Sequence, residues 1–334
     1  MLDIAQPFDI VDIFHYSDHG ATLRILVIGS RGQLGSDLIP GLAERYGASA
    51  LVTADIAPAE SGDSPHEILD VTDREAVRSV VSRHRITQIY HLAAALSARA
   101  EIEPQWAWQL NMNGLLNVLE VAREMHLDKV FWPSSIAAFG PSTPRRQTPQ
   151  TTVMDPTTVY GLSKLAGERW CAWYFQRYGV DVRSLRYPGL IGYRAAPGGG
   201  TTDYAVEIFH EALRTGRYRC FLAADQSLPL MYMDDAIRAT IEIMEAPAAQ
   251  VRERSSYNLA GVSVSPAELA AEIAMHVPNF SIDYAPDFRQ AIAASWPRSI
   301  DDGRAREDWG WEPRFNLSRM VKSMIEGVAM KAAA

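Results

Sequence analysis

A short stretch near the start, Arg24-Ile-Leu-Val-Ile-Gly-Ser-Arg-Gly-Gln-Leu-Gly35, constrains this chain more than any other. Ile25 to Ile28 is an apolar run without polar alternation, rich in β-branched residues. That is the pattern of a strand buried on both faces of a parallel sheet. It runs into Gly29, Gly32 and Gly35, and a helical pattern follows in Leu34, Leu38, Ile39 and Leu42. Strand, glycine turn and helix is the context a dinucleotide site requires. Gly29 permits the tight turn, Gly32 lets a pyrophosphate approach the backbone, and Gly35 lets the helix lie close to the strand. The helix start at Gln33 and Leu34 then offers N–H groups to the phosphates. Taken alone, the glycines also fit a βα turn that binds nothing.

An acid, Asp55, closes the next apolar run twenty residues after Gly35. A carboxylate there hydrogen-bonds the adenosine ribose hydroxyls and repels a 2′-phosphate, which favours NAD over NADP. Arg31, inside the turn, acts in the opposite sense. Glycines spaced three and three apart resemble those of the short-chain dehydrogenase/reductase superfamily.

Composition narrows the partners. With 334 residues, 47% hydrophobic and 22% charged, the makeup is that of an ordinary soluble enzyme. A net charge of −8 and the lack of a basic stripe argue against nucleic acid. No apolar run approaches the ~20 residues that cross a bilayer. Cys171 and Cys220 stand apart and lack metal-ligand spacing, so neither a disulfide framework nor a structural zinc site is expected. His15 and His19 read as surface residues of the leader, and no metal site is expected. Residues 1–23 form that leader, which carries four aspartates and no Lys or Arg. An organellar transit peptide is basic, so this one does not resemble it. The expected location is inside the cell: cytoplasm in a bacterium, or the mitochondrial matrix in a eukaryote.

Strands and helices alternate from Arg24 onward. A short strand at 68–71 precedes Asp73, an N-cap for a helix bearing Val77, Val80 and Val81. Asp70 and Val71 lie where an adenine would sit, although Asp70 equally fits a turn cap. Residues 88–95 form the fourth strand, ending in Leu92, Ala93 and Ala94, small enough to let a cofactor pass close. A helix over 106–125 follows, with Asn111 or Asn113 tying it to the neighbouring strand. The fifth strand, 129–135, ends in Ser134 and Ser135. A helix over 159–178 and a sixth strand over 182–187 complete an α/β, Rossmann-like doubly wound parallel sheet. An NAD-binding domain is thus expected over 24–190. A smaller α-rich substrate lobe is expected over 191–334, with some segments returning to the main sheet.

Tyr160 follows Ser135 by 25 residues, and Lys164 lies four beyond it, on the same helix face. A phenol with a pKa near 10 is a weak base at neutral pH, and a nearby lysine cation favours the phenolate. A serine hydroxyl opposite the phenol holds the substrate oxygen. Tyr-x-x-x-Lys alone arises by chance in many long chains. Joined to the glycine turn, Asp55 and the strand-five serine, it does not.

This order of motifs resembles the extended short-chain dehydrogenases. Within them the chain resembles the zinc-independent L-threonine 3-dehydrogenases. The resemblance is carried by His91-Leu-Ala-Ala-Ala-Leu-Ser97, Trp132-Pro-Ser-Ser-Ile-Ala-Ala-Phe-Gly-Pro141, Leu185-Arg-Tyr-Pro-Gly-Leu-Ile191 and, most particularly, Pro197-Gly-Gly-Gly-Thr-Thr-Asp-Tyr204. Leu228-Pro-Leu-Met-Tyr-Met-Asp-Asp235 and Ser295-Trp-Pro-Arg-Ser-Ile-Asp301 continue it. It implies oxidation of L-threonine by NAD to 2-amino-3-ketobutyrate. Tyr160 would be the base, Lys164 would lower its pKa, and Ser135 (or Ser134) would position the oxygen. Tyr187, Pro188 and Ile191 would join Asn111 in lining the cofactor. Gly200, Thr201 and Thr202 would cradle the substrate carboxylate at a helix start, with Ser97 beside them and Trp296 closing over the methyl. A homodimer through a bundle of the 106–125 and 159–178 helices is implied too. Arg99-Ala-Glu101 departs from the family's usual Lys-Gly-Glu without evident consequence.

Two rivals remain. Nucleotide-sugar epimerases and dehydratases usually carry an asparagine three residues after the strand-six arginine, where this chain has Gly189. A non-catalytic NAD(H)-binding regulator would commonly lack the tyrosine or the lysine, and both are present.

Overall fold

Every pairing of the central sheet is parallel in the computed structural model, which describes residues 22–58, 64–195 and 198–333. The leader, with His15 and His19, lies outside them apart from positions 22 and 23. The strands are β1 (Ile25–Ile28), β2 (Leu51–Asp55), β3 (His66–Ile68), β4 (Gln88–His91), β5 (Lys129–Ser135) and β6 (Val182–Tyr187). Beyond them come β7 (Gly189–Ile191), β8 (Arg217–Cys220), β9 (Leu228–Tyr232), β10 (Tyr257–Asn258), β11 (Val262–Val264) and β12 (Ser281–Tyr284). The large sheet runs β10-β6-β5-β4-β1-β2-β3, a Rossmann-like doubly wound order that reverses direction between β1 and β4. β3 begins at His66, two residues ahead of the apolar run at 68–71, because its pairing with β2 is set by Thr53↔His66.

Helices cover both faces: α1 (Gln33–Tyr46), α2 (Arg74–His84), α3 (Ser97–Ile102), α4 (Pro104–Trp108), α5 (Gly114–Glu124), α6 (Val159–Tyr178), α7 (Tyr204–Thr215) and α8 (Met233–Glu245). Alternate residues of β1 point to opposite cores. Leu26 and Ile28 pack with Val77 and Val80 of α2 and Val118 of α5. Ile25 and Val27 pack with Leu38 and Leu42 of α1 and Ala236 of α8. Both faces are buried, which is why β1 shows no polar alternation. Each such side chain contributes about 1.5–3 kcal/mol on burial.

The single helix expected over 106–125 is broken differently. Between α4 and α5 the residues Gln109–Asn113 form one π-helical turn. This wider turn aims the Asn111 side chain at the backbone beyond β4, where it accepts from Ala95 N (2.7 Å) and donates to Ala95 O (3.2 Å). Asn117, rather than Asn113, holds the loop after β3, donating to Val71 O and Thr72 O.

The second half carries more strand than an α-rich lobe implies. β7, β9 and β11 form a three-stranded sheet, and β8 pairs in parallel with β12. Four helices complete it: α9 (Pro266–Ala274), α10 (Arg289–Ser295), α11 (Gly303–Trp309) and α12 (Leu317–Ala333). No helix among the described residues is long and apolar enough to cross a membrane.

The turn after β1 depends on Gly29, whose φ is +81° and whose added Cβ would lie 2.5 Å from Ala93 N. Both backbone strain and collision with β4's continuation oppose any side chain there. Gly29→Ala should cost about 2 kcal/mol or more of stability, measured as a fall in the thermal unfolding midpoint.

Candidate active site

A cleft of 650 Å³ opens at the carboxyl ends of β1, β4, β5 and β6, over the point where the strand order reverses. That is where an open parallel sheet binds ligands. Its floor is the glycine turn. An added Cβ on Gly35 would lie 2.6 Å from the carbonyls of Gly29 and Ser30, so glycine there lets α1 start against the strand end. A Cβ on Gly32 would make only ordinary contact, 3.4 Å from Gly29 O, so this position is uncrowded. No side chain caps the start of α1. Gln33 and Leu34 also line the cleft, and Gln33 Nε2 donates to Leu190 O at 3.4 Å.

At one end stand Asp55 and Asp70. Asp55 accepts from Arg31 N (3.0 Å) and Ala57 N (3.3 Å). The Arg31 guanidinium donates to the Pro58 carbonyl, which folds it onto the turn after β2. Asp70 accepts from the N–H and hydroxyl of Thr72, so it caps its turn and lines the cleft as well. Val71, Leu92, Ala93, Ala94, Tyr187 and Pro188 also line the cleft.

Two residues given to the cofactor do not line the cleft. Asn111 is buried, with its amide committed to Ala95 and to Ser163 Oγ (3.1 Å). Ile191 points the other way from Leu190 along β7 and packs in the core with Ile136 and Phe139. The period of two along a strand separates them.

The same alternation distinguishes Ser134 from Ser135. Ser134 Oγ donates to the buried Glu168 carboxylate at 2.6 Å and is thereby committed. Ser135 Oγ accepts from Ala137 N and lies close enough to the Tyr160 phenol to lower its pKa. α6 brings Tyr160 there because Thr158 caps its start, accepting from Gly161 N at 3.0 Å, and Glu101 Oε1 accepts from Val159 N at 2.7 Å. Burial pushes the Tyr160 hydroxyl up to about 12, with Ser135 pulling the other way. Lys164 is buried as well, which brings its ammonium down to about 7 against the opposing pull of Cys171 and Glu168. Its Nζ donates to Pro133 O at 2.6 Å and lies 5.4 Å from the Tyr160 ring centroid. In this arrangement Ser135, rather than Lys164, is the group that offsets burial at the phenol.

At the far end the expected carboxylate cradle is already filled. α7 begins at Tyr204 with Asp203 as its N-cap residue, and Asp203 Oδ2 accepts from Gly199 N and Gly200 N, both at 2.8 Å. The Thr201 N–H donates to Ser97 Oγ (3.1 Å), and the two hydroxyls meet at 3.0 Å. Thr201 and Thr202 thus sit before the helix, and these N–H groups are spent within the protein. Thr202, Gly200, Ser97 and Trp296 still line the cleft. Arg99, Trp106 and Asp203 line it too, beyond the residues expected there. Asp203 carries a signal, an acid just before a helical pattern; Arg99 stands in the tract that departs from the family's Lys-Gly-Glu, and Trp106 at the start of the expected helix.

A family model described as the NAD dependent epimerase/dehydratase family matches residues 25–260. The chain belongs to that family. Its cofactor is NAD, and the uncrowded Gly32, the uncapped α1 and the acid closing β2 fit a dinucleotide. A GalE-like L-threonine dehydrogenase from Cupriavidus necator (holo form) is 59% identical, covering 91% of this chain and 99% of that one with a TM-score of 0.90. A monomeric L-threonine 3-dehydrogenase from a metagenome database is 46% identical, covering 92% and 99% with a TM-score of 0.90. An uncharacterized epimerase/dehydratase of Staphylococcus haemolyticus is 47% identical over 315 residues, 92% of this chain and 98% of its own.

This family site hangs on the Glu168–Arg186 pair beneath Ser134, at 2.8 Å and fully enclosed. Glu168→Ala leaves a buried guanidinium without its carboxylate. It should cost about 3–5 kcal/mol, read from the urea midpoint.

Proposed function

We propose that this protein oxidises L-threonine at its β-hydroxyl, giving 2-amino-3-ketobutyrate and NADH. The observation that carries the reading is that Ser135, Tyr160 and Lys164 line one cleft, in a chain 59% identical to a protein described as an L-threonine dehydrogenase. The β-hydroxyl would lie between the Ser135 hydroxyl and the Tyr160 phenol. Tyr160 takes its proton as the hydride leaves the β-carbon, and the nicotinamide supplies the hydride acceptor. Ser135 donates to the substrate oxygen and fixes its direction. Lys164 holds the helix to β5 through Pro133 and is placed to steady the nicotinamide ribose. Gly29, Gly32, Gln33, Leu34 and Gly35 would hold the pyrophosphate, Asp55 the adenosine ribose, and Asp70 with Val71 the adenine. Leu92, Ala93, Ala94, Tyr187 and Pro188 would flank the nicotinamide half. Ser97, Thr201, Thr202 and Trp296 would shape the pocket for a small zwitterion.

The epimerase reading has less support. Its asparagine would stand at Gly189, where an added Cβ would lie 2.7 Å from the Thr202 side chain and 2.8 Å from that of Leu230. A larger side chain there would have to displace Thr202 and Leu230.

α4 and α6 expose Trp108, Leu162, Trp170, Trp173 and Tyr178, each between 38% and 47% accessible. This apolar face supports a homodimer through the 106–125 stretch and α6, although one similar solved protein is described as monomeric. Light scattering should give twice the chain mass, and Trp173→Glu should return the monomer.

Tyr160→Phe should lower kcat by roughly 10²-fold or more with NADH affinity little changed. With the phenol held high by burial, its basic form grows as pH rises. Threonine oxidation should therefore quicken from about pH 7 to about pH 9, followed by NADH absorbance. Turnover of a UDP-sugar without turnover of L-threonine would overturn the assignment.

A further inference from the structure

A threonine carboxylate must meet a cation or a set of N–H donors, and three donors of the glycine loop, Gly199, Gly200 and Thr201, are taken. Gly199 and Gly200 donate to Asp203, and Thr201 donates to Ser97. Among the described residues lining the cleft, the cationic side chains are Arg31, Arg99 and Lys164. Lys164 is buried on the Pro133 carbonyl. Arg31 lies against Pro58 and Asp55, at the end where the ribose acid stands. Arg99 is left at the opposite end.

Its helix is anchored to both sides of the reacting centre. Ala98 N donates to Gly199 O (3.3 Å), and Ser97 grips Thr201, which fixes α3 to the glycine loop. Glu101 caps the helix that carries Tyr160. Ala95 and Ala100 pack beside Val159 and Tyr160. From this base the Arg99 guanidinium spreads over the Trp106 ring, 4.6 Å from its centroid. The stack orients a planar, two-pronged donor that suits a carboxylate. Its acidic neighbour is Glu103, at 3.6 Å, with both side chains half exposed or more. Such a pair is weak and readily exchanged for an incoming carboxylate.

We propose that Arg99 binds the carboxylate of the amino-acid substrate and selects 2-amino-3-hydroxy acids over amino alcohols that lack it. The inference rests on the threonine reading above. Because Arg99 touches the carboxylate and not the reacting carbon, it acts on KM and on substrate choice rather than on the chemical step.

The test compares wild type, Arg99→Met and Arg99→Lys on L-threonine and on (R)-1-amino-2-propanol, the same carbinol and amine without the carboxylate. Arg99→Met should raise KM for L-threonine about tenfold or more, with kcat within about threefold. Its kcat/KM for the amino alcohol should stay near wild type, so the preference for threonine collapses. Arg99→Lys should recover part of it. NADH affinity, by fluorescence titration, should not move. An unchanged threonine preference overturns the proposal, and so does a matching loss of NADH affinity, which would put Arg99 on the pyrophosphate. A wild-type protein inert toward L-threonine overturns the functional reading itself, and the carboxylate assignment falls with it.

Discussion

The fully buried carboxylate of Glu168 is the contact around which the site is arranged. It accepts from Ser134 on β5 and twice from Arg186 on β6. Arg186 in turn donates to Gln150 O and to Asn258 Oδ1 on β10, and Asn258 donates to Thr148 O and Asp301 O. One ion pair thereby ties a helix, three strands and two connecting segments from both halves of the chain. Such a pair adds little net stability over an apolar substitute, because desolvating both charges costs about as much as their attraction returns. What it supplies is a fixed rotation of α6. Tyr160 and Lys164 lie eight and four residues before Glu168, on the same helical face. With Glu168 anchored under the sheet, that face can only present them to the cleft.

The cofactor half was legible in the sequence because its determinants are local. Gly29, Gly32 and Gly35 act within one turn, and Asp55 ends the neighbouring strand, so spacing along the chain is nearly spacing in space. The substrate half was less so. Thr201 and Thr202 look like a helix start until Asp203, one residue on, takes the loop's N–H groups. The pairing of Thr201 with Ser97 spans 104 residues, and no local pattern announces it. Asn111 reads as a cofactor contact by position, yet a single π-helical turn redirects it to Ala95 and Ser163. The choice between Ser134 and Ser135 needed the direction of each side chain, and that depended on Glu168.

Charged side chains lie along the whole cleft, Asp55, Asp70 and Arg31 at one end and Arg99 and Asp203 at the other. In the middle, burial brings the Lys164 ammonium down and holds the Tyr160 phenol high. Both groups are therefore displaced toward their neutral forms in the part of the site from which water is most excluded. A phenol held high in this way needs rising pH to reach the phenolate that can take a proton from an alcohol, whereas an exposed phenol would ionise more readily.

The all-parallel sheet also governs when the protein can work at all. β1 pairs with β4 across some sixty residues of chain, and β6 pairs with β10 across some seventy. Each parallel neighbour requires a crossover, and such long-range pairings assemble slowly. The cleft draws on Gly29 near one terminus and Trp296 near the other. A chain emerging from the ribosome at about 5–20 residues per second thus carries its glycine turn for many seconds before the last wall exists. Turnover in this molecule is a property of the completed chain, and its first appearance during synthesis or refolding marks the closing of the whole structure.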